Sequence, residues 1–259
     1  MFPLKDNIPT ERFPLVTYAL IAANVIVYFF FQKHVGHGLA YLNDVSNQNV
    51  TKWGAIPYEF THPGDGCVLL EARQAIGCGP HMGTDPPFWA TAFSGMFMHG
   101  GLFHLGGNML FLWIFGNNVE DAMGRVKFVV FYLLGGLCAL GLQIAVGPNS
   151  AVPTLGASGA IAGVLGGYIL LYPRARVLTF IFIVVFFTFV EIPAFLVLGI
   201  WIGEQALFGY LDVAQPTGGG GGVAYFAHIG GFVFGLAAIK LFARRVRKPM
   251  PPGPRLPVY

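Results

Sequence analysis

Charge is the scarcest commodity in this chain. Asp, Glu, Lys and Arg supply 10% of its 259 residues, against roughly 25% in an ordinary soluble domain, too few to clothe a water-facing surface. Cysteine is almost missing as well: three residues, one of them inside an apolar run, exclude a small secreted disulfide scaffold. The 36 glycines lack the G-X-Y period of collagen, and no internal repeat is visible. Basic residues form no stripe that nucleic acid would need; they stand in short clusters between apolar runs, so no nucleic-acid partner is expected. What is abundant is apolar surface, with 55% hydrophobic residues and a mean hydropathy of +0.63. These proportions describe a membrane protein with lipid as its partner.

Six runs approach the roughly 20 apolar residues that cross a bilayer: Phe13 to Phe31, then about Gly100 to Asn117, Phe128 to Val146, Leu155 to Leu171, Val177 to Gly203 and Val223 to Phe242. Lipid offers backbone N–H and C=O groups no partner, and barrel-like alternation is absent, so the spans are expected to be helices. The expected fold is all-α, a polytopic bundle of six transmembrane helices over residues 13–242, between an N-terminal tail of residues 1–12 and a C-terminal tail of residues 243–259. A signal peptide is the rival reading of the first run, but it is too long for an h-region and no A-x-A site closes it. Lys5, Arg12, Arg125, Lys127, Arg174, Arg176 and the C-terminal cluster from Lys240 fall on one side; only Lys33, Lys52 and Arg73 fall on the other. By the positive-inside rule both termini are cytoplasmic.

Residues 33–99 form a long external loop without a core of its own. Within it Pro86 to Phe97 is apolar but too short to span, which points to an interfacial or re-entrant segment. Gly218 to Gly222 reads as a flexible loop, and the Pro-rich tail after Lys248 as disordered.

Strongly polar residues inside spans are functional candidates by default, and here they are His104, Asn108, Gln143, Ser158, Glu191 and His228. Counted from the outer ends of their spans at ~1.5 Å per residue, His104, Ser158 and His228 all lie at about 5–8 Å depth. Asn108 lies one turn below His104 on the same face. Alone, each has a duller reading: a back-bonded Ser, a packing His, an Asn that glues helices. Together they supply the nucleophile, base and donors that acyl transfer needs. Small residues strengthen the case. Ser158, Gly159, Ala162, Gly163 and Gly166 share one helix face, and His228, Gly231 and Gly235 share another, so two backbones can approach closely enough for Ser to meet His. Gln143 reads as packing.

The motifs Phe97-Met98-His99, His104-x-x-x-Asn108-Met109, Glu120-Asp121-x-x-Gly124, Gly156-Ala157-Ser158-Gly159 and Ala227-His228-x-x-Gly231-x-x-x-Gly235 resemble the rhomboid family of intramembrane serine proteases, from about Trp89 to Phe242. The resemblance implies Ser158 as nucleophile and His228 as general base. It assigns the oxyanion hole to His104, Asn108 and the Ser158 backbone N–H, with Gly156, Gly159, Gly231, Gly235 and His99 in support. It implies cleavage of membrane-spanning protein substrates near the external face, with no cofactor and no metal. No Asp or Glu is expected near the pair, so the site reads as a dyad whose His is oriented by packing. Many family members carry an aromatic one turn after the nucleophile; here that position is Ala162, so another ring must hold His228. The family's Trp-Arg pair in the first external loop is also missing, although Trp53 and Trp89 are present.

Glu191 and Pro193 are expected to interrupt the fifth helix, either as a kink in the movable gate that the resemblance implies or as a protonated or capped packing residue. Cys67 and Cys78, both in the external loop, are expected to form a disulfide; free thiols, or a zinc site with His81 and His62, are the alternatives. A proteolytically dead relative that binds transmembrane helices and a small transporter are the competing functions. The first would be expected to have lost Ser or His, and the second wants inverted repeats, which are not found. A bacterial plasma membrane is the expected location.

Overall fold

The computed structural model describes residues 2–35, 44–73, 75–80, 82–83, 86–183, 186–214, 223–244 and 246. His81, the Gly218 to Gly222 loop and the tail beyond Lys248 lie outside the described residues. The chain begins with a strand, β1 (Phe2–Asp6), and then the helix α1 (Leu15–Ile26), which widens into a π turn through Phe31. The long loop holds α2 (Asn47–Trp53), α3 (Pro57–Thr61), the hairpin β2 (Asp65–Leu70) and β3 (Ala75–Pro80), and α4 (Phe88–Ser94). Next, α5 (Leu102–Phe111) passes through a π turn into α6 (Asn117–Met123), and α7 (Arg125–Val146) and α8 (Ser158–Leu171) follow. A second hairpin, β4 (Arg176–Ile183) and β5 (Phe186–Pro193), precedes α9 (Ala194–Ala214) and α10 (Tyr225–Phe242).

The centre of the molecule is α8, buried continuously from Gly159 to Tyr168. Its lack of bulk is what allows this. A Cβ on Gly231 would run into the carbonyl oxygen of Gly159, one on Gly235 into that of Gly163, and one on Gly159 would lie 2.6 Å from the Ala139 Cβ of α7. The small faces expected from the sequence therefore clamp α8 between α7 and α10, with backbones in direct contact. Outward-facing side chains are the apolar ones: Phe103 is 88% exposed, and Leu241 and Val126 79%. Such a surface suits lipid rather than water. Helices α7, α9 and α10 are long and apolar enough to cross a membrane, whereas Leu15–Phe31 and α8 are shorter apolar helices.

The protein is mostly helical, not all-α. The strand order β1-β4-β5 makes an antiparallel sheet, and β2 pairs with β3. The expected fifth span, Val177 to Gly203, is replaced by the β4–β5 hairpin and a helix that starts at Ala194. A continuous run rich in Phe, Ile and Val has no period that separates a buried strand from a helix. Glu191 consequently interrupts no helix: it lies opposite Leu178 in the hairpin, exposed, its carboxylate 3.2 Å from the Arg176 guanidinium. Pro193 closes β5 immediately before α9, a position where its missing N–H is harmless. The segment expected to be interfacial becomes α4 and one 3-10 turn through Phe97.

Basic residues gather at one end. Arg12, Arg125, Lys127 and Arg244 border a single cavity of about 700 Å³. At the same end Glu120 caps α1, accepting from the backbone N–H of Val16 (3.0 Å) and Thr17 (2.7 Å) and from the Thr17 hydroxyl. The Arg244 N–H donates to the Ala122 carbonyl at 2.8 Å, so the two ends of the described chain share this face. At the opposite end, Cys67 and Cys78 face each other across the β2–β3 hairpin with their sulfurs 2.01 Å apart.

Residues 1–12, expected as a tail, carry β1, and its last residue is locked in place. The buried Asp6 Oδ2 accepts from the Tyr168 hydroxyl and the Asn118 amide. Burial pushes its carboxyl up to about 6 from the ordinary 3.8, against the opposing effect of the Tyr168 hydrogen bond. The neutral acid is thus the form the fold prefers: the associated stability is complete below pH ~4 and is lost as the pH rises through ~6. Asp6→Asn keeps one acceptor oxygen for Tyr168 and Asn118 and removes the desolvated charge, while its NH2 meets the Ile8 N–H that the carboxyl also accepts from. It is expected to unfold at higher temperature than the wild type at pH 7.5, by less than about 3 kcal/mol, and to lose that advantage near pH 4. Thermal unfolding of the detergent-solubilised proteins at both pH values checks this; a variant less stable at pH 7.5 would show that the charge itself is needed.

Candidate active site

Gly156 has φ +113°, a conformation that side chains rarely tolerate, and this turn delivers Ser158 as the first residue of α8. The turn is held from behind by the external loop. The Gly156 N–H donates to the Gly95 carbonyl (2.8 Å), and Thr154 and Ala55 exchange two backbone hydrogen bonds (2.7 and 3.0 Å). At the head of a helix the Ser158 N–H belongs to the first turn, whose donors have no intrahelical partner.

On α10, His228 presents Nε2 to Ser158 Oγ at 2.8 Å. This is the distance at which an imidazole lone pair takes a hydroxyl proton. His104 and Asn108, one turn apart on α5, converge on the same spot from the other side. A Cβ on Gly156 would lie 2.8 Å from His104 Nε2 and 3.5 Å from Asn108 Nδ2, so glycine leaves both polar groups access to the turn. His104 Nδ1 accepts from the Gly100 N–H (3.3 Å). That bond assigns the ring hydrogen to Nε2 and makes it a donor. Asn108 Nδ2 is buried and has no hydrogen-bond partner among the described residues. An unsatisfied buried donor in the cleft that Ser158 lines is what an oxyanion hole requires before its oxyanion exists.

These groups line a cleft of about 630 Å³ walled by α5, α8, the start of α10 and Trp201 of α9, with Phe111 and Trp201 meeting at 6.4 Å between ring centroids. His99 is fully buried and packs edge-on against His104 at 5.1 Å. Its backbone is gripped at both ends by the Gln32 side chain, through two bonds of 2.9 Å. Gly159, Gly231 and Gly235 form the α8–α10 contact below the pair. Gln143 accepts from the Ala227 N–H (3.2 Å), next to His228. Cys67 and Cys78 are in the hairpin, apart from the cleft, and Glu191 contributes nothing to it.

The expectation that packing alone orients His228 needs correction. Its Nδ1 lies 2.7 Å from the Oε1 of Gln205, a residue the sequence reading passed over. The ring that substitutes for the missing aromatic at Ala162 is Trp201, 5.6 Å from the imidazole and inclined by 38°. Both come from α9. The signal was present in the spacing, since Ala194, Leu198, Trp201, Gln205 and Gly209 make one inward stripe in which Gln205 is the polar member.

A family model described as the Rhomboid domain matches residues 87–245. Rhomboid protein 1, mitochondrial, of Saccharomyces cerevisiae is 33% identical over 144 residues, 54% of this chain and 38% of that protein. Presenilin-associated rhomboid-like protein, mitochondrial, of Mus musculus is 33% identical over 142 residues, 54% of this chain and 34% of the relative. Rhomboid protease GluP of Bacillus subtilis is 38% identical over 78 residues, 30% of this chain and 15% of its own length. The chain thus spans well under half the length of these curated relatives. They establish a membrane-embedded protein; their mixture of mitochondrial and bacterial names gives the expected bacterial plasma membrane no support.

Proposed function

The chain belongs to the rhomboid family, and from that membership we propose that it is an intramembrane serine endopeptidase acting on membrane-spanning proteins. One observation carries the reading: the 2.8 Å contact of Ser158 Oγ with His228 Nε2, in a cleft also lined by Asn108, whose Nδ2 has no hydrogen-bond partner among the described residues. His228 removes the Ser158 proton as Oγ attacks the substrate carbonyl. The Asn108 amide, His104 Nε2–H and the Ser158 backbone N–H receive the negative charge that develops on the carbonyl oxygen. His228 then returns the proton to the leaving amine, and water, activated by the same ring, releases the acyl group from Ser158.

The substrate class follows from the cleft's position. The cleft is walled by α5, α8, α10 and Trp201 of α9, and Phe103 of α5 and Leu207 of α9 face outward, so a lipid-embedded helix is proposed to reach it sideways. We place six spanning segments in the membrane, counting Leu15–Phe31, the α5–α6 path and α8 with the three long helices. Both ends of the chain then face the side rich in Arg and Lys. A Cys67–Cys78 bond fits a compartment that permits disulfides on the opposite side.

A fluorophosphonate probe applied to the detergent-solubilised protein is expected to form a covalent adduct on the peptide containing Ser158, and His228→Ala is expected to lose it. Folded wild-type protein that stays unlabelled would overturn the reading.

A further inference from the structure

We propose that Gln205 is a positioning residue that selects the tautomer of His228, an inference that rests on the reading of Ser158 and His228 as nucleophile and base. With Gln205 Oε1, which can only accept, turned to His228 Nδ1 at 2.7 Å, the ring hydrogen lies on Nδ1. The reversed amide would present Gln205 Nε2–H to Nδ1 and fix the other tautomer, so the orientation of this one amide is what sets the ring. With Oε1 toward the ring, His228 Nε2 carries the lone pair and faces the Ser158 hydroxyl at 2.8 Å. In the other neutral tautomer Nε2–H would donate to Ser158 Oγ and could not take its proton. An imidazole without a partner at Nδ1 chooses weakly between the two forms, so the acceptor on α9 decides whether His228 is a base.

The setting makes this costly arrangement informative. Gln205 is 9% exposed, while Gly203, Glu204, Ala206 and Leu207 around it all face outward. A neutral amide buried in an apolar helix needs a partner, and His228 provides it. Trp201, one turn earlier on the same face, covers the imidazole, so α9 controls both the tilt of the ring and its proton. Among the described residues no carboxylate contacts His228. A neutral orienter stabilises the imidazolium less than an anion does, and it avoids placing a second unscreened charge in the membrane.

The test compares Gln205→Met, which keeps the bulk and loses the acceptor, with Gln205→Glu, which keeps the acceptor and adds charge. Replacing the orienting carboxylate of a serine protease by an amide lowers kcat by about 10⁴ through the wrong tautomer. With a neutral orienter the smaller loss of roughly 10- to 100-fold in kcat is expected for Gln205→Met, with KM little changed. Gln205→Glu is expected to recover most of the rate and to move the acidic limb of the kcat/KM profile to higher pH, because a carboxylate favours the imidazolium.

A second measurement does not depend on activity. In protein labelled with ¹⁵N-histidine, the ring signals of His228 are expected to show Nδ1–H in the wild type and a mixed or Nε2–H ring in Gln205→Met. A wild-type ring protonated at Nε2, or an Nδ1–H ring unchanged in Gln205→Met, overturns the inference. So does a Gln205→Met enzyme with wild-type kcat and pH profile. Absence of probe labelling at Ser158 would instead sink the protease reading, and the ring signals would still decide what Gln205 does to His228.

Discussion

Ser158→Ala is expected to reduce cleavage of a membrane-spanning substrate to background, a fall of about 10⁶ by comparison with nucleophile removal in other serine proteases. His228→Ala is expected to do the same, because the attacking oxygen and the base act as a unit. Asn108→Ala belongs to a different class. It removes one donor among three, and a single oxyanion-hole donor is typically worth about 10²–10³ in rate, so weak activity should survive. Ser158→Ala and Asn108→Ala should remain folded, whereas His228→Ala leaves the buried Gln205 amide without its partner and its folding is checked by thermal unfolding. Ser158 is the first residue of α8 and its hydroxyl bonds only His228 among the described residues, while Asn108 Nδ2 has no partner to lose. Purified proteins assayed on one substrate settle the division of labour. Full activity in Ser158→Ala would refute the protease assignment, and wild-type rates in Asn108→Ala would remove only its role at the oxyanion.

The second large effect concerns the fold. Gly235→Ala puts a Cβ onto the Gly163 carbonyl oxygen and 2.8 Å from the Gly167 nitrogen. Both are backbone atoms of α8 and neither can rotate away, so α10 must move off as a whole. Overpacking of this kind costs about 3 kcal/mol or more, on the order of a 10 °C fall in unfolding temperature. Gly141, on the outer face of α7, has nothing within 4 Å of a new Cβ. Gly141→Ala is therefore expected to be neutral or to stabilise by about 1 kcal/mol through helix propensity. Thermal unfolding of both variants in the same detergent separates backbone approach from a general intolerance of alanine; equal melting would show that α8 and α10 do not touch as described.

Legibility from the sequence followed the physics of each signal. Helix approach was readable because only small residues permit it, and Gly159, Gly163, Gly231 and Gly235 lie at helical spacing. The meeting of His104, Asn108, Ser158 and His228 was readable because polar residues are scarce in lipid and these share a depth. The β4–β5 hairpin was not, since an unbroken apolar run rich in Phe and Ile satisfies strand and helix alike. That misplacement had a chemical consequence. Ending the fifth span at Gly203 left Gln205 outside the membrane, where a glutamine attracts no notice, and His228 was left without its partner. With the helix starting after Pro193, Gln205 becomes a buried amide in lipid surroundings and demands an explanation. Gln32, which grips His99, went unnoticed for a related reason: it stands at the rim of the first span, where polar residues are ordinary.

The turn carrying Gly156 hangs from Ala55 and Gly95, both contributed by the long loop between α1 and α5. On the proposed reading, the Ser158 N–H, one of three oxyanion donors, is accordingly set by a segment outside the spanning helices, as a bridge deck is anchored in its abutment. His104 and His228 take their positions from the helices α5 and α10, while the Ser158 turn takes its position also from the loop. The loop outside the spanning helices is, on that reading, as much a part of the catalytic geometry as the helices themselves.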